Sequence, residues 1–481
     1  MAARRLAWLA LFAVLVACSP MQDDVAEVGH WSDFDDGSAI LAEFAATEGV
    51  SALAREPGRY ILSRNGSIRN LEAFVRRQGD TLVHYVSAAG FAVVETSTPG
   101  AYGRFADIVV RDVVIDWREP TTTVAFEPEV GDPPFSGSAD SLFDLQWGHV
   151  PVRATPAWQA GVRGEGVRVA VLDTGFDLTH PDLVPNINFA SSANFVPDEA
   201  LQYGLPDPFS HGTHVAGTIA AAQNDFGIIG VAPDAELVLV KVLGDGGSGT
   251  FSGVAAGMVH AADVGADIAN MSLGAALSQR GFEAPDGTWV SAREVAELRV
   301  FMQRITNYGT WKGTLYVTSA GNSGLDRDKT ADLWVTPADI RRVVSVSATA
   351  PIGWATDPQN IFLENLASYS NYGRSAIDVS APGGDFVYPG DEFCTISIVT
   401  VPCWVFDLVF STGNGTWYWS AGTSMAAPHA SGVAALILSE AGGPGALTPA
   451  QLEQALYRHA ESIGQRGQDP EHGRGAVRSG Y

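Results

Sequence analysis

The stretch GVRVAVLDT, residues 166–174, is a short and nearly continuous apolar run that ends at an aspartate. Four similar runs follow along the chain, ELVLVKVL, ADIANMSL, TLYVTSAGN and VVSVSAT, and glycine, aspartate or asparagine residues come at or after their ends. Strands this apolar are typically buried on both faces, as in a parallel sheet covered by helices. The sequence therefore predicts an α/β fold in which functional groups gather at the carboxyl ends of parallel strands.

Composition and charge limit the classes of function. The chain has 481 residues, 46% of them hydrophobic and 17% charged, which is typical of a folded protein. Its formal net charge of -25 argues against nucleic acid as a partner, because binding to phosphates requires a basic surface. A strongly acidic protein of this kind is expected to stay dispersed in solution.

The first eighteen residues are predicted to be an export signal. Arg4 and Arg5 precede an apolar run at 6–16 that is too short to span a bilayer as a helix. The following LVAC, residues 15–18, resembles a bacterial lipobox, which would make Cys18 a lipidated first residue after cleavage. A lipid on Cys18 would attach the exported protein to a membrane. An ordinary signal-peptidase site with a cysteine nearby is the alternative.

The rest of the chain divides into four predicted regions. Residues 19–57 are acidic and weakly periodic, which suggests a tether that contains a helix within 40–54. Residues 58–119 show the order strand, helix, strands, helix, strand, which predicts a small α+β unit. Residues 120–142 are rich in Pro, Gly, Ser and acidic residues and indicate a linker, and 143–481 contain the predicted parallel sheet.

Three polar residues lie at the ends of predicted elements. Asp173 ends the opening strand, His211 opens the helix HGTHVAGTIAA, and Ser424 stands near the start of GTSMAAPHASGVAALIL. Taken singly, each has an ordinary structural interpretation. Ser424 would be a helix cap, or a nucleophile placed where the helix dipole favours negative charge.

Together these segments resemble the subtilisin-like serine proteases. VAVLDTGFDLTHPDL, HGTHVAGTIAA and GTSMAAPHASGVAAL match the family's three signature segments, in the same order, over about residues 143–475. The resemblance implies an endopeptidase in which Ser424 is the nucleophile, His211 the general base and Asp173 its orienting carboxylate. In YVTSAGNSG it assigns Asn322 as the side chain that stabilises the oxyanion, although an asparagine in a turn is the plain structural reading.

The resemblance also implies a cleft that pairs with an extended polypeptide substrate. One side of it would be formed by Gly247, Ser248 and Gly249, and the other by Ser272, Leu273 and Gly274. Ala320 and Gly321 would border the pocket for the residue before the cleaved bond. Because no acidic residue is clearly placed there, an apolar or aromatic residue is the expected preference.

A structural calcium ion is the cofactor that the resemblance implies, with no catalytic metal. The predicted ligands are oxygen atoms, as Ca²⁺ prefers, from Gln146, Asp182, Ala222, Asn224, Phe226 and Ile228. Turn chemistry alone would explain Asn224 equally well. The resemblance further implies that residues 58–119 are an inhibitory propeptide, a partner within the same chain.

Two segments, 276–312 and 384–420, are longer than in compact members of the family. The second contains Cys394 and Cys403, which an exported chain is expected to join as a disulfide. It also contains aromatic residues that are expected to pack in the core: Trp404, Phe406, Phe410, Trp417, Tyr418 and Trp419.

Two other classes of function remain open from the sequence. One is a catalytically silent binding or adhesion protein on the same scaffold. The other is a metal hydrolase whose ligands would be Asp173, Asp177, His180 and Asp182.

Overall fold

The computed structural model describes residues 54–117, 121–126, 136, 138–283 and 289–481. The predicted signal, Cys18 and the predicted tether helix therefore lie outside the described residues. Seven helices are present in the described part of the chain: α1 Leu71–Gln78, α2 Ala154–Gln159, α3 His211–Ala220, α4 Phe251–Asp263, α5 Ala292–Lys312, α6 Thr423–Glu440 and α7 Pro449–His459. None of these helices is both long enough and apolar enough to cross a membrane.

The amino-terminal unit is a small antiparallel sheet with one α-helix. Its strands are β1 Ala54–Ser63, β2 Thr81–Val86, β3 Phe91–Glu95 and β4 Ile108–Asp116, in the spatial order β2-β3-β1-β4. The pattern SIRNLEAFVRRQG predicts a helix over 67–79, but α1 begins later because Asn70 is in the left-handed conformation with φ 58°. The second helix, predicted over 101–108, is only a short 3₁₀ turn, Pro99–Tyr102.

The larger unit contains the predicted parallel sheet. Its strands are β6 Arg168–Asp173, β7 Ala193–Asn194, β8 Glu236–Lys241, β10 Ile268–Met271, β14 Leu315–Ser319, β16 Val343–Ala350, β17 Asn365–Leu366 and β18 Val379–Pro382. They lie in the order β17-β16-β14-β10-β6-β8-β7, with β18 also beside β16. Only β17 runs antiparallel to its neighbour in this sheet.

Both faces of this sheet are buried, as the apolar runs predict. Val169 and Val171 of β6 pack in one apolar cluster, together with residues of α3 and α6. Ala170 and Leu172 point to the opposite face and pack in a second cluster with α4 and α5. Alternation along a strand places successive side chains on opposite faces, so helices must cover both. The α/β prediction is confirmed.

The remaining strands are short. They are β5 Thr122–Phe126, β9 Ser248–Thr250, β11 Ala275–Ser278, β12 Gly281–Glu283, β13 Trp289–Ser291, β15 Leu333–Thr336, β19 Phe393–Ile396, β20 Val399–Pro402, β21 Val409–Thr412 and β22 Trp417–Ala421. Strand β5 lies inside the region predicted to be a linker, and it pairs with β22. The sequence pattern did not predict this strand.

The longer segment at 384–420 packs against the larger unit. Cys394 and Cys403 are joined by a disulfide across the β19–β20 hairpin. The aromatic residues are mostly buried, with Phe406 and Trp419 at 0% exposure, and Trp404 is partly buried against the same core. The prediction that these aromatic residues belong to the core is confirmed.

Candidate active site

Asp173 and His211 are brought together at the carboxyl end of β6. The Nδ1 atom of His211 lies 2.7 Å from Oδ1 of Asp173. Asp173 is fully buried, and its Oδ1 also accepts a hydrogen bond from the backbone N–H of Thr174 at 2.7 Å. A buried carboxylate in this position fixes the ring orientation and stabilises the imidazolium when His211 takes up a proton.

Ser424 lies in the first turn of α6, and a proline four residues later shapes its surroundings. Pro428 has no N–H, so the Ser424 carbonyl lacks its usual partner within the helix. The Ser272 hydroxyl donates to that carbonyl instead, at 2.7 Å. In return the Ser424 hydroxyl donates to the Ser272 carbonyl at 3.3 Å. These two bonds hold the start of α6 against the end of β10.

The strand register brings the two pairs of residues to one edge of the sheet. Val171 of β6 is paired with Asn270 of the parallel strand β10. Asp173 is the last residue of β6 and Ser272 directly follows β10, so both lie at the same end of adjacent strands, which are about 5 Å apart. Ser424, bound to Ser272, is therefore placed beside the Asp173–His211 pair. The sequence prediction that functional groups meet at this edge agrees with the geometry.

Asn322 follows β14 at the same edge and is held in a fixed orientation. Its side-chain oxygen accepts hydrogen bonds from the Thr423 backbone N–H at 2.8 Å and from the Thr423 hydroxyl at 2.7 Å. The side-chain nitrogen of Asn322 lies near Gly422, since a Cβ atom added to Gly422 would be 3.3 Å from it. The N–H groups of the Asn322 amide are therefore close to the residues that directly precede Ser424.

The segment predicted to pair with substrate is itself paired with the amino-terminal unit. Strand β9 forms an antiparallel ladder with β4, in which Ser248 faces Asp116 and Gly249 faces Ile115. The Trp117 backbone N–H extends this ladder by donating to the Gly247 carbonyl at 3.1 Å. This edge therefore accepts an extended polypeptide strand, which is what the resemblance implied for it.

The other predicted substrate contacts border Ser424. Ser272 binds Ser424 directly, and the Leu273 carbonyl accepts from the hydroxyls of Thr318 and Ser319, both at 3.3 Å. Gly274 follows as a buried residue before β11. Ala320 is 3% exposed. Gly321 has φ +103°, a backbone conformation that favours glycine. Its backbone N–H donates to the Thr423 hydroxyl at 3.1 Å.

The predicted calcium ligands are only partly brought together. Asp182 is fully buried beside the loop at 222–228, and the Ala222 N–H donates to its backbone carbonyl at 2.7 Å. Its Oδ2 accepts from the Ile228 N–H at 3.1 Å and the Trp417 indole at 2.8 Å. Its Oδ1 is buried without a hydrogen-bond partner among the described residues. Burial raises the pKa of this carboxyl to about 7.

Gln146, also predicted to be a calcium ligand, is bound to the same loop. Its side-chain oxygen accepts a hydrogen bond from the Ile229 backbone N–H at 3.0 Å. Asp140 lies beside Asn224, where its Oδ1 accepts from the Asn224 N–H at 3.0 Å. Asp140 is fully buried and its charge contributes to the raised pKa of Asp182. The sequence pattern missed it because it lies in a stretch of linker composition.

This donor set fits a calcium ion. Asp140 and Asp182 are buried carboxylates that accept hydrogen bonds from the loop at 222–228, and carboxylate and carbonyl oxygens are the hard ligands that Ca²⁺ prefers. The partnerless Asp182 oxygen is expensive to leave in a protein interior as a charged group. A bound cation would remove that cost.

The alternative set of metal ligands does not converge on one point. Asp173 binds His211, whereas Asp177 accepts from the N–H groups of Thr179 and Gly415. The Nε2 atom of His180 lies 3.0 Å from the Thr416 carbonyl. Within the part of the chain that the structure describes, three metal-binding side chains cluster only at Asp469, Glu471 and His472, and backbone N–H groups occupy the Asp469 carboxylate.

Comparison with known proteins defines the class. A family model described as the subtilase family matches residues 164–475, so the chain belongs to that family, peptidase S8. M-protease of Shouchella clausii is 38% identical over 295 residues, which are 61% of this chain and 59% of that protein. Subtilisin Savinase of Lederbergia lenta is 37% identical over 295 residues, 61% of this chain and 84% of that protein. The match thus spans about three fifths of M-protease.

Solved structures agree on the fold. The epidermin leader peptide processing serine protease of Staphylococcus aureus has a TM-score of 0.65 at 21% identity, covering 89% of this chain and 97% of that one. A lanthipeptide protease has a TM-score of 0.54 at 28% identity, covering 70% of this chain and 92% of that one. This protein therefore has the architecture of a subtilisin-like serine protease.

Proposed function

We propose that this protein is an exported serine endopeptidase that hydrolyses polypeptides through an acyl-enzyme. The observation that carries the proposal is the His211–Asp173 contact of 2.7 Å at the strand edge where Ser424 is bound. A serine hydroxyl is a weak nucleophile at neutral pH and requires such an oriented base.

The reaction follows from these side chains. The Ser424 hydroxyl attacks the peptide carbonyl, and His211 takes the hydroxyl proton while Asp173 stabilises the imidazolium. The Asn322 amide and the backbone N–H groups at the start of α6 stabilise the oxyanion. His211 then gives its proton to the leaving amine. Water, deprotonated by the same imidazole, hydrolyses the acyl-enzyme and restores the serine.

The amino-terminal unit is proposed to be an inhibitory propeptide. Besides pairing with β9, this unit makes polar contacts with two helices of the larger unit. The Asp112 carboxylate accepts a hydrogen bond from the Ser252 backbone N–H at 3.0 Å, at the start of α4. The Nη2 atom of Arg304, in α5, lies 2.6 Å from Oδ2 of Asp107. Phe91 and Phe301 pack with ring centroids 5.2 Å apart. These contacts would hold the unit over the cleft until it is cut away.

Export and attachment through a lipid on Cys18 are also proposed. They rest on the charged and apolar segments at 1–18 and on the likeness to a lipobox at 15–18. Removal of the amino-terminal unit would separate the catalytic unit from that anchor.

Self-cleavage is the experiment that tests the proposed function. The Trp117 N–H donates to the Gly247 carbonyl, and the Thr121 methyl would lie 3.3 Å from a Cβ atom added to Gly422, so these two described residues contact elements on either side of the proposed cut. Wild-type protein is expected to acquire a new amino terminus between Trp117 and Thr122, found by terminal sequencing. Ser424→Ala is expected to stay uncut. Equal processing of both proteins would contradict the proposal.

The same sequencing tests the predicted preference for an apolar residue before the cut. A cut directly after Trp117 would place an aromatic residue before the cut, whereas later cuts would place Arg118, Glu119, Pro120 or Thr121 there. Cleavage-site profiling on a peptide library then shows whether the preference for other substrates is apolar. A library dominated by basic residues before the cut would refute it.

Calcium removal is expected to lower the melting temperature. The proposed ligands are Asp140, Asp182, Asn224 and the carbonyls of Ala222, Phe226 and Ile228. An ion present at about one hundred times its Kd adds about 2.7 kcal/mol, or about 5 to 10 °C in Tm. Asp182→Asn is expected to abolish the response to a chelator.

Asp225→Asn is the matched control for that measurement. Asp225 is exposed in the same loop, so the same chemical change there should keep the full calcium response. An unchanged Tm in wild-type protein on adding and removing Ca²⁺ would contradict the calcium proposal.

A further inference from the structure

Strand β22 ends three residues before Ser424, and its outer edge is occupied by the chain's own β5. Five residue pairs form this antiparallel ladder, from Thr122 opposite Ala421 to Phe126 opposite Trp417. The inner edge of β22 pairs with β21. Without β5, five residues of backbone beside the reacting serine would form an open strand edge, which is a template for another extended chain.

This edge is rigidly held. All five residues of β22 are buried, and the Trp417 indole donates to the Asp182 carboxylate at 2.8 Å. The Trp419 and Phe410 rings pack 4.5 Å apart, and the Tyr418 ring lies 4.6 Å from that of His214. A fixed edge loses little conformational freedom when it binds a strand, which favours binding.

Strands β4 and β5 contact different elements of the cleft. The chain is paired with β9 up to Trp117. Thr121 lies beside Gly422, at the residues that also meet the Asn322 amide. With a cut between Trp117 and Thr122, β5 would hold the position of the residues that follow a cleaved bond, known as the primed side of a substrate.

One side chain of β5 enters the core. Val124 is partly buried and packs against the large cluster that includes Trp417 and Trp419. Ala125, on the opposite face of the strand, is exposed. Apolar burial at the position of Val124 adds side-chain selectivity to the backbone pairing.

Cleavage between Trp117 and Thr122 would leave β5 attached to the catalytic unit. Thirteen residues separate Phe126 from Asp140, which is anchored at the Asn224 N–H. A strand tethered by so short a segment has an effective concentration in the millimolar range. It would therefore compete strongly with any chain in solution for the same edge.

We propose that Thr122–Phe126 stays on the outer edge of β22 after self-cleavage and competes there with the residues that follow the cleaved bond of a polypeptide substrate. This inference rests on the proposed function. It predicts that β5 competes with extended polypeptides that have at least five residues beyond the cut and an aliphatic residue at the position of Val124, and not with shorter ones. Substrate must displace β5 before it can use this edge.

The test compares Val124→Asp with Ala125→Asp in the full-length, self-processed chain. Two quenched fluorescent peptides share the residues before the cut and carry either two or six residues after it, the longer including TTVAF. Val124→Asp is expected to lower KM for the long peptide roughly tenfold, because it removes the buried valine contact of the competitor. Neither variant should change KM for the short peptide by more than about twofold, which corresponds to a small difference in binding free energy.

The outcomes separate the two proposals. An unchanged KM for the long peptide in Val124→Asp, or an equal fall for both peptides, would overturn the competition. A KM for Ala125→Asp that falls as far as that for Val124→Asp would overturn it too. Labelling of Ser424 by a fluorophosphonate in all three proteins shows that the peptidase site is intact, so that failure concerns β22 alone.

Hydrogen exchange decides the matter if Val124→Asp does not fold. In self-processed wild-type protein, the amides of Thr122–Phe126 are expected to exchange slowly. A non-cleavable version of the long peptide should accelerate their exchange, whereas the short one should not. Fast exchange in the absence of peptide, or no acceleration by the long peptide, would overturn the proposal.

Discussion

Ser424→Ala is expected to lower kcat/KM on polypeptide substrates about 10⁶-fold, the magnitude known for the same change in subtilisin and not one supplied by this structure. The physical reason is that His211 and Asp173 have no nucleophile to activate once the hydroxyl is lost. Among the described residues, the Ser424 hydroxyl donates one long hydrogen bond, 3.3 Å to the Ser272 carbonyl. Its removal should therefore leave the fold intact, with Tm changed little.

Ser439→Ala is the matched control for this prediction. Ser439 lies near the end of the same helix and its hydroxyl donates to the Glu165 carbonyl at 3.3 Å. The same chemical change there should leave kcat/KM within about twofold, because surface substitutions have small effects. Residual activity of Ser424→Ala within about a hundredfold of wild type would contradict the assignment, since far larger losses follow loss of a nucleophile.

Asp173→Asn is expected to lower kcat by about 10⁴-fold, as the corresponding change does in related catalytic triads. The substitution keeps the shape of the side chain but replaces an acceptor oxygen by an amide. An amide donor facing Nδ1 would favour the wrong tautomer of His211 and would not stabilise the imidazolium. The effect should fall on kcat with little change in KM, measured on a peptide of defined sequence.

Asp177→Asn is the control for charge removal near the site. Asp177 is 3% exposed, but its carboxylate accepts from Thr179 and Gly415, not from His211. It is therefore expected to lower Tm without a comparable loss of kcat. Similar losses of kcat in the two variants would mean that Asp173 has no special role.

The sequence predicted the parallel sheet because burial on both faces leaves a clear signal. The run from Val167 to Leu172 has one charged residue, Arg168, at its start, and its side chains fill two separate apolar clusters. The residues proposed to be catalytic were found because they end or begin such elements, at one edge of the sheet. Their grouping follows from topology.

Other features depend on contacts that a local pattern does not record. Strand β5 is stabilised by a ladder with β22, almost three hundred residues away in sequence, and its surroundings have the composition of a linker. Asp140 is likewise buried beside Asp182 through contacts with residues distant in sequence. The Gln146 side-chain oxygen accepts a hydrogen bond from the Ile229 N–H. Strand β5 and the place of Asp140 were missed because tertiary pairing decides their partners.

Mapping of a covalent adduct tests the central claim most directly, namely that Ser424 is activated by His211 and Asp173. The processed protein is treated with a fluorophosphonate, digested and examined by mass spectrometry. One adduct per molecule on Ser424 is expected, absent in Ser424→Ala and formed far more slowly in Asp173→Asn. A well-folded wild-type protein without an adduct at Ser424, or with equal labelling in Asp173→Asn, would contradict the account.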